Sequence, residues 1–99
     1  MPLTLCQQRH LRALAHNLDP SVRVGAAGVT DGVIQAIEEA LIARELIKVR
    51  LDADRGGRLE LAGALTERTG AEVAQIIGRI VVLYRRAPDP ARRRISAPG

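Results

Sequence analysis

Apolar positions recur at two different periods along the chain, and the period assigns most of it to helix or strand. From Thr4 to His16, Leu11, Leu14 and Ala15, with Leu18 beyond, fall at helical spacing, while Gln7, Gln8, Arg9 and Arg12 lie on the other side. This predicts an amphipathic first helix ended by Asp19-Pro20, because proline disfavours α conformation in the residue before it. Ser21-Val22-Arg23-Val24 alternates as a short strand and runs into Gly25-Ala26-Ala27-Gly28. Thr30 is a good N-cap, Asp31 suits the positive end of a helix dipole, and Val33, Ile34, Ile37, Ala40 and Leu41 form an apolar stripe. A second helix is therefore expected to run to about Arg44.

The next segment changes period. In Leu46 to Leu51, Ile47, Val49 and Leu51 alternate with Leu46, Lys48 and Arg50, so the two cations share one strand face. Asp52 to Gly57 reads as a loop, and Leu59, Ala62, Leu65 and Thr69 mark a third helix closed by Gly70. Glu72 to Ile77 and Ile80 to Tyr84 are β-rich runs around Gly78-Arg79, where glycine at the first central position is the signature of a type II′ hairpin turn. The expected fold is α/β: an N-terminal helix followed by βαβαββ, a mixed four-stranded sheet packed with helices. Residues 1–86 form one domain in this reading. Residues 87–99, with three prolines and three arginines, form a flexible basic tail.

Composition adds a partner class. The chain has 99 residues and a net charge of +4, with no Phe or Trp and one Tyr. Residues 1–78 carry nine basic and ten acidic side chains, whereas residues 79–94 carry six arginines against Asp89. A segregated positive charge favours a polyanion, since lysine and arginine release counterions from phosphates. The shortage of aromatic rings argues against a nucleic-acid surface built on stacking, and Tyr84 is expected in packing rather than under a base. One cysteine, Cys6, makes no internal disulfide, so a reducing cytoplasm is expected. No apolar run approaches a membrane span and the start lacks the pattern of a signal peptide, so no membrane partner is expected.

Gly25 to Gly28 is the candidate binding element. A glycine-flanked loop between a strand and a helix presents free backbone N–H groups and suits phosphate, although many such loops are only tight turns. A dinucleotide-binding reading lacks the third glycine and the ribose-binding acid, and a P-loop reading lacks the Gly-Lys-Ser/Thr sequence. Cys6 and His10, four apart on one helix face, make at most half a metal site. His16 is read as interacting with the end of the first helix, and Glu38 with Glu39 as solvated charge. No catalytic residue, metal or cofactor is expected.

At this point the chain resembles the CRM domain (chloroplast RNA splicing and ribosome maturation), in particular the small bacterial YhbY family, over about Leu11 to Arg85. The resemblance rests on Leu14-Ala15-His16 before Pro20 and on Gly25-Ala26-Ala27-Gly28-Val29-Thr30-Asp31-Gly32-Val33. It continues through Glu45-Leu46-Ile47-Lys48-Val49-Arg50, Thr69-Gly70-Ala71, Ile77-Gly78-Arg79 and Val82-Leu83-Tyr84-Arg85. It implies a fold similar to the carboxy-terminal domain of translation initiation factor three, with a KH-like GxxG loop. It also implies a non-enzymatic factor, monomeric in our reading, that binds ribosomal RNA in precursors of the large subunit. One departure matters: family loops usually carry Lys, Ser or Asn between the glycines, whereas Ala26 and Ala27 offer no side-chain donor. RNA contact is then expected from the backbone of Gly25, Ala26, Ala27 and Gly28 and from Lys48, Arg50, Arg79, Arg85, Arg86, Arg92, Arg93 and Arg94. The rival reading is a protein–protein adaptor on ribosomal or RNA-processing complexes.

Overall fold

The computed structural model describes residues 4–86, in the order α1 (Leu5–Ala15), β1 (Pro20–Val24), α2 (Asp31–Arg44), β2 (Leu46–Leu51), α3 (Arg55–Thr69), β3 (Glu72–Ile77) and β4 (Ile80–Tyr84). The expected α/β class and element order hold. The sheet order is β1-β2-β4-β3, with β1 parallel to β2 and β4 antiparallel to both β2 and β3. The ends of β1, β2 and β3 therefore meet the start of β4 at one edge of the sheet.

Alternation along the strands sends apolar side chains to both faces. On one face Val24, Ile47, Val49, Leu51, Val81 and Leu83 pack with Ile37 and Leu41 of α2 and Ala62 and Leu65 of α3. On the other, Leu46, Ala74, Val82 and Tyr84 pack under Leu11 and Ala15 of α1. The second cluster is smaller because one helix covers that face. Lys48 and Arg50 share this face with Leu46, as the alternation requires, and only Leu46 is covered by α1. Tyr84 is buried, in agreement with the packing role expected for it.

Local chemistry sets the helix ends. Thr4 and Gln7 form a reciprocal capping box at α1, with bonds of 2.9 and 3.1 Å. Thr30 caps α2 by accepting from the Val33 N–H. The third helix begins earlier than its apolar pattern indicates. Asp54 accepts from the Gly57 N–H at 2.7 Å, and this cap draws Gly56-Gly57, poor helix formers, into the first turn. A Cβ at Gly57 would lie 3.1 Å from both Ala53 Cβ and Asp54 Oδ1, so the close turn favours glycine there. Gly70 closes the helix in the left-handed conformation, as expected. Gly78 has φ +56° while Arg79 keeps a negative φ, in accord with the II′ turn.

Two apolar positions depart from expectation. Leu14 and Leu59 are 43% and 58% exposed. Helix α1 rests on the sheet alone, so the narrow Leu11–Ala15 line suffices and Leu14 falls beside it. In α3 the line Leu61, Ala62, Leu65 faces the core and Leu59 turns outward. No helix among the described residues is long and apolar enough to cross a membrane.

Candidate nucleic-acid interface

Gly25 to Gly28 form a hydrogen-bonded turn, in which the Gly28 N–H donates to the Gly25 carbonyl at 3.0 Å and Gly28 adopts φ +74°. Ala26 and Ala27 at its tip are exposed, and among the described residues their N–H groups have no acceptor. The Thr30 N–H turns back to the Gly28 carbonyl at 3.1 Å. The loop thus stands one short turn ahead of α2, where Thr30 accepts from the Val33 N–H and Asp31 adds an acid to the first turn.

The same edge gathers cations from distant parts of the sequence. Arg23 and Arg50 are paired across β1 and β2, and Arg50 also stands opposite Ile80 on β4. Arg79 is exposed at the hairpin tip, where its carbonyl accepts from the Leu51 N–H at 2.7 Å. Asp52, next in the chain, donates its N–H to the Val24 carbonyl at 3.0 Å and so ties the end of β2 to the strand that leads into the loop. Its carboxylate accepts from Arg23 Nε and, at 3.2 Å, from Arg50 Nε. The Arg23 hydrogen bond, helped by Arg50 and opposed by partial burial, holds the Asp52 carboxyl below the usual carboxylate range.

Between α1 and the uncovered part of the sheet lies a cleft of about 150 Å³. Ile77, Ile80 and Val82 floor it, and Arg12, His16 and Lys48 stand at its rim. Lys48 Nζ donates to the carbonyl of His16, the C-cap residue, at 3.4 Å, which adds a cation at the end of α1. Around the hairpin, Arg55 and Arg58 of α3 line a second cleft beside Gly78.

Lys48, Arg50 and Arg79 therefore share with the Gly25–Gly28 loop one edge and the adjoining open face. Arg85 does not. It follows β4 at the opposite edge, where its guanidinium donates to the Thr69 carbonyl at 2.8 Å and pairs with Glu38 at 2.7 Å, while its N–H donates to the Glu45 carbonyl at 2.9 Å. Glu38, read from sequence as solvated charge, is thus a structural partner. Arg86 is exposed beside Arg85, away from the loop. Arg92, Arg93 and Arg94, with the rest of the expected tail, lie outside the described residues. Among the described residues no group of three or more His, Cys, Asp or Glu side chains gathers around a common point for a metal.

The sequence reading missed Arg23, Asp52, Arg12, Arg55 and Arg58. For Arg23 the signal was present: lying between Val22 and Val24, it must face away from the core, on the side of Lys48 and Arg50. For Asp52 the signal was partial, since Arg50 is two residues away in the chain but Arg23 is 29 residues away.

The chain is similar to known proteins along most of its length. Residues 3–85 match the CRS1 / YhbY (CRM) domain. The chain belongs to that family. A Haemophilus influenzae relative, named "RNA-binding protein", is 44% identical over 84 residues, which cover 84% of this chain and 85% of the relative. A Bacillus subtilis relative named "Probable RNA-binding protein YqeI" is 42% identical over 88 residues, covering 88% of this CRM chain and 92% of its own length. The solution structure of a hypothetical protein from Staphylococcus aureus superposes with a TM-score of 0.83 at 39% identity, covering 97% of this chain and 99% of that one. Both relatives are named for RNA binding.

Proposed function

We propose that this CRM-family chain binds RNA by its phosphates, with ribosomal RNA of the large-subunit precursor as the setting the family resemblance implies. The reading assigns contact to the amides of Ala26 and Ala27, held by Gly25 and Gly28, and to Lys48, Arg50 and Arg79, and it adds Arg23. The observation that carries it is the convergence on one sheet edge of an exposed loop with unengaged N–H groups and arginines from β1, β2 and the hairpin. Backbone amides and guanidiniums are both phosphate donors, and neither requires the aromatic platform that the chain lacks. Arg85 is left out of the interface because it lies at the opposite edge, where its half-buried side chain bridges the Thr69 carbonyl and Glu38. Arg86 is left out because it lies at the opposite edge.

The test is an RNA titration across a series of salt concentrations with the full chain. Neutralising about five or six phosphates gives a slope of log K against log salt near −4 to −5. A nearly flat dependence rejects phosphate recognition. Binding that persists to a protein partner after RNase treatment, with no affinity for RNA, favours the adaptor reading.

A further inference from the structure

Two arginines on neighbouring strands at matched positions repel each other, and like charges directly opposite destabilise a sheet. Arg23 and Arg50 are so placed, and both point to the face that α1 leaves open. Asp52 compensates by setting one carboxylate oxygen against each Nε. The carboxylate is turned inward, with its side chain 18% exposed, whereas the arginine side chains are 70% and 48% exposed. Among the described residues the terminal Nη groups of both arginines have no partner. Each guanidinium is therefore anchored through its inner nitrogen and offers its outer nitrogens to solvent, on the side of the sheet edge that carries Gly25. The anchor is itself fixed, because the Asp52 N–H is bonded to the carbonyl of Val24, the residue before the loop.

We infer that Arg23 and Arg50, braced by Asp52, form a two-guanidinium site for one backbone phosphate beside the Gly25–Gly28 loop, with Asp52 as the positioning residue. This rests on the RNA-binding reading above. The triad keeps a net charge of +1, and its advantage over two loose arginines is that both forks are held in place before the phosphate arrives. An acid thus supports the binding of a polyanion. Simple charge counting gives the opposite sign, since removing Asp52 makes the protein more positive and should tighten binding.

The experiment titrates a labelled RNA stem-loop, carrying paired and unpaired nucleotides, against the full chain and four variants at fixed salt, with a thermal melt of each. Asp52→Asn and Asp52→Ala are expected to bind about fivefold more weakly than the parent, although each gains positive charge. Glu60→Gln, at an exposed site on α3, gains the same charge and should bind as tightly as the parent or slightly better. Arg23→Lys with Arg50→Lys keeps the charge but loses both forks, and about tenfold weaker binding is expected. That double variant decides the matter if the Asp52 variants melt much lower. Asp52 variants that fold and bind like Glu60→Gln, or a double lysine variant that folds and binds like the parent, overturn the braced site while the RNA-binding reading stands. A parent chain that fails to bind RNA overturns both.

Discussion

The two edges of the sheet hold arginines in opposite circumstances. At the edge where β1, β2 and β3 end, Arg23 and Arg50 are anchored by one nitrogen each and spread the rest into solvent, and Arg79 extends from the hairpin tip. At the other edge the Arg85 side chain is 25% exposed and its Nη1 bridges the Thr69 carbonyl and Glu38, joining α3, α2 and the end of β4. Residue type is the same and the role is not. A half-buried guanidinium that bridges acceptors from separate elements contributes stability, whereas one anchored by its inner nitrogen at an exposed edge offers its outer donors to a ligand. A count of arginines in the sequence therefore does not separate a bridging guanidinium from an exposed one.

Substitutions at one edge at a time separate the two roles. Arg85→Ala should lower stability by about 2–3 kcal/mol, because it leaves the Thr69 carbonyl and Glu38 without their partner. For a domain of this size that corresponds to a fall in Tm of roughly 8–24 °C, while RNA affinity measured well below the melt should stay within about twofold of the parent. A large loss of affinity with an unchanged melt would move Arg85 into the interface.

The loop change has the reverse signature. Ala26→Asp with Ala27→Asp should shift Tm by only a few degrees, since both positions are exposed, have negative φ and lie ahead of α2. The same charges oppose a phosphate at the loop amides, and a cost of about 2 kcal/mol or more would weaken RNA binding at least tenfold. A variant that melts and binds like the parent would reduce the loop to a turn.

Smaller effects sharpen the picture. Arg79→Ala removes one exposed cation, so the salt slope should become shallower by somewhat under one unit with no change in Tm. An unchanged slope would place the hairpin tip outside the RNA contact. Acid titration addresses Asp52. Because its folded pKa is lowered, chiefly by the Arg23 hydrogen bond, its contribution to stability is fully present above the usual carboxylate range, near pH 4, and is lost as the pH falls below it through the folded pKa. Comparing the melts of the parent and Asp52→Asn, the difference should be constant above about pH 5 and shrink towards acid. A gap that stays constant down to low pH would show that ionisation of Asp52 contributes nothing to the fold.

What the sequence determined by itself was local. Hydrophobic period, caps and turn residues gave the order of helices and strands, the hairpin at Gly78, the exposed Gly25–Gly28 loop and the shared face of Lys48 and Arg50, because each depends on neighbours within a few residues. Even there, the Asp54 cap moved the start of α3 past what its apolar pattern showed. Tertiary structure alone decided which arginines are free. Strand register puts Arg23 opposite Arg50 and brings Asp52 to both, and the packing of α2 and α3 against the sheet carries Glu38 and the Thr69 carbonyl to Arg85. A guanidinium's role depends on which acceptors lie within hydrogen-bond reach, and those acceptors come from residues that only the folded chain brings together.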